Sequence, residues 1–545
     1  MYKILAMILC LCTFAFTSKA ELVPLMKSDG STSVKHFQTQ DPVMTPSVYE
    51  QRDAELRALW VAAVTSDVVR HTSKSAYQTG MRRVIRTLLD HNMNTLIYQV
   101  RPTSDAFYSS ALNPWSKYLM GMYSTKENEV VAPDWDPFEW LIEECHKNDI
   151  EIHAWFNPYR VTTAGIDAGI SKEDYINENL SPKNFAYKHP EYTVLGSDRK
   201  ILFNPGEREV IDFVTATVME VVENYDVDGI HFDDYFYSYE GYPVGFDNDV
   251  YQQHKKPSQS IDDFRRENVD ILIEGIGRGI RNYNAENGKK IVFGISPFGI
   301  WDNKANNPLG SPTAGTSSYR TCYADTRKWV KLEWIDYIMP QVYWHFEHSI
   351  APYADIVDWW VDVVKDTNVN LYIGHGMYKY VQGAVEWKNS PNELAMQLNY
   401  NTKYKEVKGS SFFSYFYIRD MYNAPTAWSD LTPIKNVIEL IDATMWTNKV
   451  PVSAYTAPSS IESASAQSAS ITVYFNSDGN ALNVNLDRDM KNGTLTLFDL
   501  SGRIITSQPI VGQTAVVNTS LLEKGLYVLQ LLENGKATAG VKVVK

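Results

Sequence analysis

Apolar residues along this chain recur in two rhythms, and the rhythm changes once. From Leu56 to about Leu440, short runs of consecutive apolar and β-branched residues alternate with longer stretches whose apolar positions repeat every three or four residues. The short runs read as strands buried on both faces, at 56–64, 95–101, 151–157, 229–234, 291–296, 337–341, 370–374 and 410–414. The longer stretches read as amphipathic helices, at 76–91, 137–147, 207–224, 261–283, 323–332, 352–365, 392–405 and 433–440. Eight strands, each followed by a helix, predict an α/β fold of the TIM type, a closed parallel (β/α)8 barrel rather than an open sheet. Between the third and fourth strands the chain makes a long excursion with its own apolar stretch at 200–203, ahead of Asn204-Pro205-Gly206. Long loops at that end of a barrel are where substrate determinants sit.

Past residue 470 the period falls to two. Alternating segments at 471–475, 482–486, 494–499, 514–518, 526–532 and 540–544, with turn signals such as Asp478-Gly479 and Asn492-Gly493, predict a small antiparallel β-sandwich over 471–545. Residues 448–470 are rich in Ser, Ala and Pro and read as a linker. Residues 21–54 carry neither period and read as an extended leader to a barrel domain spanning 55–447. The first 20 residues have the form of a cleaved export signal: Lys3, an apolar stretch at 4–16, then Ser18-Lys19-Ala20. That stretch is too short to anchor in a bilayer, and no later segment is apolar enough to span one. The expectation is an exported protein without a transmembrane segment.

Composition narrows the partners. The formal net charge of −14 argues against nucleic acid. Behind the signal only Cys145 and Cys322 remain, too few for a disulfide framework, and no His-Glu-x-x-His or Cys-x-x-Cys occurs. No metal or cofactor is expected. The 34 Tyr and 14 Trp supply flat rings with polar edges, which suit sugar faces as well as cores.

The run Gly229-Ile230-His231-Phe232-Asp233-Asp234-Tyr235-Phe236 carries the sharpest chemistry. A core strand ends in two adjacent carboxylates, whose desolvation costs several kcal/mol unless they are paired. The carboxyl ends of parallel strands are where α/β proteins place their chemistry, although an Asp pair there also suits the cap of a following turn. Strand alternation, with Asp233 in the barrel mouth, brings His231 and Tyr235 in with it and turns Phe232 and Asp234 towards the helices.

Several ordered stretches resemble the glycosyl hydrolase-like 10 family, which includes bacterial enzymes that cut peptidoglycan glycan strands. They are Leu56-Arg57-Ala58-Leu59-Trp60-Val61, Gln99-Val100-Arg101-Pro102, Asp105-Ala106-Phe107-Tyr108, Pro114-Trp115-Ser116 and His153-Ala154-Trp155-Phe156-Asn157-Pro158-Tyr159-Arg160. Asn204-Pro205-Gly206, Tyr225-Asp226-Val227-Asp228 leading into the Asp233-Asp234 run, Phe293-Gly294-Ile295-Ser296-Pro297-Phe298-Gly299-Ile300-Trp301 and Asp336-Tyr337-Ile338-Met339-Pro340-Gln341-Val342-Tyr343-Trp344 complete the set. The resemblance implies a glycosidase using two carboxyl groups; strand parity then makes Asp233 the expected nucleophile or base, with Asp234 bonding a neighbouring loop or supporting it. Three residues compete for the acid: Asp105, within the matched pattern; Glu347, beyond the sixth strand; and Asp302. This chain has Asp302 and His345 where similar proteins often carry Arg and Glu. Arg101, Asn157 and Arg160 are expected at the rim as sugar or carboxylate ligands, and Trp301, Tyr343 and Trp344 as walls. His231 and His375 are candidate hydrogen-bonding partners that equally suit a core. In chitinase-like hydrolases the equivalent strand ends in a catalytic Glu where this chain has Tyr235, which argues against substrate-assisted catalysis through such a Glu.

The C-terminal segments Leu497-Phe498-Asp499-Leu500-Ser501-Gly502-Arg503, Gly525-Leu526-Tyr527-Val528 and Val541-Lys542-Val543-Val544-Lys545 resemble the sorting domain of type IX secretion cargo in the Bacteroidetes. That resemblance implies the type IX machinery as a partner. It also implies passage through the periplasm to the outer surface or exterior of a Gram-negative cell. The expected substrate is a polysaccharide, with a non-catalytic glycan-binding protein on the same scaffold as the alternative.

Overall fold

The computed structural model describes residues 20–64, 69–121, 126–382, 387, 390–423, 430–455, 471–476, 480–498, 504–520, 522, 525–533 and 536–545. The expected signal peptide, apart from Ala20, and residues 456–470 of the expected linker lie outside them. The chain divides into two compact units at residues 458/459.

In the first unit eight parallel strands close into a barrel: β1 (Leu56–Val61), β2 (Thr95–Arg101), β3 (Glu151–Phe156), β4 (Gly229–Phe232), β5 (Val292–Ile295), β6 (Tyr337–Ile338), β7 (Asn370–Gly376) and β8 (Val407–Phe413). Each pairs with its successor, and β8 returns to β1 with Gly409 opposite Leu56. Most of these strand residues are buried, which is why they read as continuous apolar runs rather than alternating ones. Helices cover the outside. The longest, Ile261–Asn287, starts at Ser260, whose side chain accepts a hydrogen bond from the Asp263 N–H. It runs a turn past the expected end and stops at Gly288, whose φ of +65° is the left-handed conformation that ends helices.

Large rings fill the barrel axis. Tyr337 occupies space that a side chain on Gly294 of β5 would take, since a Cβ there would lie 2.0 Å from the ring. Its hydroxyl bonds His153 Nδ1 at 2.9 Å and His231 Nδ1 at 2.8 Å. Val452 and Tyr455 join the apolar residues of the axis. Their segment is held by Arg57 on the Asn448 carbonyl (2.7 Å), Asn94 on Val450 (3.0 Å) and the Glu55 N–H on Pro451 (3.0 Å). The start of the Ser/Ala/Pro-rich stretch is therefore packed.

The segment expected as an extended leader is instead a hairpin, Leu22–Pro24 against Met44–Pro46. Leu25, Val34 and Val43 are buried in the main core, and Asn399 donates to the Pro46 carbonyl at 2.7 Å. Three isolated apolar residues show no period, yet each is buried in the core of the barrel unit. The long excursion between β3 and β4 contains a second hairpin, Thr193–Leu195 against Ile201–Phe203.

The second unit is an antiparallel five-stranded sheet: Ile471–Phe475, Ala481–Phe498, Ile504–Asn518, Leu526–Glu533 and Lys536–Val544. The segments expected at 482–486 and 494–499 are one strand, in which Asn492-Gly493 does not turn the chain. Register breaks between Asn485 and Met490 and between Met490 and Gly493 mark irregular points in its ladder with Ile504–Asn518. Leu482, Val484, Leu495, Leu497, Ile510, Val517, Leu529 and Leu531 make one buried core.

Candidate active site

At the carboxyl end of the barrel a cleft of about 380 Å³ opens over β4. Asp233 and Asp234 both line it, with Trp60, Trp155, Tyr235, Tyr239, Tyr343, Tyr378 and Phe413 as aromatic walls and Gln99, Arg160, Ser296 and Gln341 among the polar lining. A larger cavity of about 700 Å³ is lined by Leu89, Asn92–Asn94, Ile150, Glu151, Asp228 and residues 449–452, near the amino ends of β2, β3 and β4, and includes neither member of the pair.

Asp233 is held by three donors. Its Oδ2 accepts from Trp155 Nε1 at 3.0 Å and Asn157 Nδ2 at 2.6 Å, and its Oδ1 from the Tyr235 N–H at 3.1 Å. The orientation of Asn157 follows from one backbone donor, the Ala63 N–H, acting through Gln99. The Ala63 N–H bonds Gln99 Oε1 at 2.7 Å, so Gln99 presents its Nε2 to Asn157 Oδ1 at 2.5 Å, and Asn157 turns its Nδ2 to Asp233. Three neighbouring strands thus aim one amide at the acid.

Burial pushes the carboxyls of both Asp233 and Asp234 above the usual aspartate range. For Asp234 desolvation is the larger cause, the adjacent Asp233 charge adds to it, and together they raise it to about 7. Arg160, the Tyr235 N–H, Asn157 and Trp155 oppose the rise at Asp233. Three donors favour the charged form of Asp233, and the charge beside it favours the protonated form of Asp234. The arrangement supplies a carboxylate and a protonated carboxyl in one aromatic cleft near neutral pH.

Both acids facing the cleft corrects the expected alternation. Regular pairing of β4 stops at Phe232, so the two-residue period no longer governs Asp234. His231 lies on the barrel axis beneath the pair. Trp60 Nε1 donates to its Nε2 at 3.2 Å, leaving Nδ1 to donate to Tyr337, and burial holds its pKa well below the ordinary value. It is a neutral core histidine. Tyr235 and Tyr343 line the cleft as expected, and Arg160 lies over the Tyr235 ring at 4.2 Å.

Several expected site residues lie elsewhere. The register of β2 on β3 slips between Gln99 and Arg101, so Arg101 pairs with Phe156 and leaves the inward face. It donates to the Asn157 carbonyl at 2.7 Å and lies 5.5 Å from the Phe213 ring. Asp105 is fully buried and does not line the cleft; desolvation holds its carboxyl up against Ser116 and Thr103, and its charge raises that of Glu127. Glu347 is exposed and accepts from the Ser28 N–H of the N-terminal hairpin at 3.2 Å. Asp302 forms an ion pair with Arg320 at 2.9 Å. Trp301 stacks on Trp359 with centroids 5.8 Å apart, and Trp344 lies against His348. His375 bonds Gln397 and Ser410 in the core, where burial lowers it to about 4. Among the described residues lining the cleft, the acids are Asp233 and Asp234 alone.

The sequence reading missed Gln99, Trp155 and Trp60. Their signal was parity: Ile97 and Gln99 share a face of β2, and His153, Trp155 and Asn157 share a face of β3. Among the described residues no group of three or more His, Cys, Asp or Glu is placed to hold a metal, and no helix is long and apolar enough to cross a membrane.

Comparison with known proteins places the chain in a family. The secretion system C-terminal sorting domain model matches residues 472–545, so the chain carries a secretion tail. Glycosyl hydrolase YngK of Bacillus subtilis (strain 168) is 38% identical over 387 residues, covering 70% of this chain and 71% of that protein. Glycosyl hydrolase DigH of Escherichia coli (strain K12) is 35% identical over 393 residues, covering 68% and 86%. Among solved structures, the PgaB (BpsB) glycoside hydrolase domain of Bordetella bronchiseptica aligns with a TM-score of 0.41 and 10% identity, over 71% of this chain and 99% of that one. The glycosyl hydrolase-like 10 model covers residues 55–390, and with it the whole acid-bearing end of the barrel from β1 to β7. The chain belongs to the glycosyl hydrolase-like 10 family.

Proposed function

We propose that this protein is a secreted glycoside hydrolase that cuts a polysaccharide, with the glycan strands of peptidoglycan as the first substrate to test. One observation carries the reading: two adjacent buried carboxyls line an aromatic cleft at the carboxyl end of β4, and one of them is raised to about 7. Asp234 is the proton donor to the departing sugar oxygen. Asp233, fixed as a carboxylate by Trp155, Asn157 and the Tyr235 amide, faces the positive charge that grows at the anomeric carbon and serves as nucleophile or base. The tyrosine and tryptophan faces supply stacking surfaces for sugar rings. The choice of peptidoglycan rests on the sequence resemblance alone, and the sorting tail supports a type IX route to the outer surface of a Gram-negative cell.

A second reading, glycan binding without turnover, draws on the absence of a further carboxyl among the described residues lining the cleft. One experiment separates the two. Purified protein is incubated with peptide-free glycan strands and with aryl glycosides bearing an activated leaving group, beside Asp233→Asn and Asp234→Asn, with products read by mass spectrometry. Loss of the donor is rescued by a good leaving group, whereas loss of the carboxylate is not. Binding of strands with no product from the wild-type protein would establish the second reading.

A further inference from the structure

A second cavity of about 280 Å³ adjoins the cleft and shares Val64, Arg160 and Tyr235 with it. The two together form a groove that passes over Arg160. Its farther half is walled by Tyr159, Leu202 and Phe236 and edged by Lys200 and Glu240. The two cations differ. Lys200 is already engaged by Asp198 at 2.7 Å and by Glu240. Arg160 is half-buried, and among the described residues its guanidinium takes part in no hydrogen bond or ion pair. Asp233 and Asp234 are within its electrostatic reach without forming an ion pair with it.

Arg160 is nevertheless held in place. Its backbone bridges Leu202 of the second hairpin, the following Val161 N–H bonds the Ile201 carbonyl at 3.0 Å, and its guanidinium rests on the Tyr235 face. A preorganised planar fork of donors with no acceptor among the described residues, standing between two sugar-sized cavities, matches a carboxylate in shape and charge. The protein as a whole carries −14, so an acidic glycan gains nothing from the net field. At physiological salt that field is screened within about 8 Å, and the local cation decides.

We propose that Arg160 is a specificity residue that binds a carboxylate borne by the glycan, a uronic acid or a carboxyalkyl ether, on the sugar next to the one at Asp233 and Asp234. This rests on the cleft being a glycan site. The test uses two oligosaccharide sets of equal length, one with free carboxylates and one with the same carboxyls reduced to alcohols. Binding is measured by calorimetry on Asp234→Asn, alone and combined with Arg160→Gln or Arg160→Lys, and kcat/KM is measured on the wild-type protein.

The carboxylate set binds about tenfold or more tighter than the reduced set. Arg160→Gln collapses that ratio to near one, while Arg160→Lys keeps part of it. Equal binding of the two sets, or loss of affinity for both alike in Arg160→Gln, overturns the proposal and makes Arg160 a partner of the acid pair only. Selective binding without turnover would refute the hydrolase and leave the subsite standing. Turnover of both sets at equal kcat/KM would do the reverse, and binding of neither set overturns the subsite.

Discussion

Replacing Asp234 by Asn removes the proton that the fold is built to hold. The Asp234 carboxyl is raised from 3.8 to about 7 by burial and by the Asp233 charge, so the folded protein binds a proton there that the unfolded chain has released. Between about pH 4 and pH 7 the folded state therefore holds more protons than the unfolded one. Its stability falls by about 1.4 kcal/mol per pH unit from this group, up to about 4 kcal/mol across the window. The contribution is fully present below the unfolded pKa and gone once pH passes the folded one. Asp234→Asn is neutral throughout and lacks this dependence. Relative to wild type the variant should gain about 3 kcal/mol between pH 5 and pH 8. All 14 tryptophans precede residue 447, so their fluorescence reports the barrel unit alone during denaturation. Urea melts of both proteins at several pH values give the difference directly. A stability difference that stays constant from pH 5 to pH 8 would mean Asp234 is ionised in the fold throughout, and it would remove the proton donor from the mechanism.

Other consequences follow from the same geometry. Asn157→Ala deletes the 2.6 Å donor to Asp233 and strands Gln99; turnover should drop about 10- to 100-fold, the acidic limb of the pH–rate profile, set by Asp233, should move to higher pH, and a pH profile of kcat/KM checks both. Glu347→Gln, on an exposed residue bound to the N-terminal hairpin, should leave kcat/KM within about twofold, and a larger loss would return Glu347 to the candidate acids. Gly294→Ala forces a methyl group against the Tyr337 ring and should cost about 3 kcal/mol of barrel stability in the same tryptophan-monitored melts.

Local period was enough to read most of the barrel. A strand buried on both faces has no polar alternate, and a helix on the outside of a barrel has one apolar stripe, so each element shows its type within a few residues of sequence. The expected strand at 95–101 matches Thr95–Arg101, and the expected helix at 261–283 starts where the observed one does, at Ile261. The acid pair stood out as a local feature, since adjacent carboxylates directly after a core strand are costly to bury. Sequence also carried the sorting tail, whose motifs are contiguous.

Other features depend on registers that only the closed sheet defines. A one-residue slip at Gln99 sends Arg101 out of the mouth, and nothing near it in the chain marks that slip. Asp234 enters the cleft because β4 pairs no further than Phe232, which its neighbours in space decide. Asp105 and Glu347 have the right chemistry in the right loops, yet one is buried away from the cleft and the other is bound to Ser28, 319 positions away. The chain of donors from Ala63 through Gln99 and Asn157 to Asp233 crosses four strands, and it exists only once β1 to β4 stand side by side. Periodicity is a property of neighbours along the chain, whereas a proton's position depends on neighbours in space, and those are supplied by the closing of the barrel.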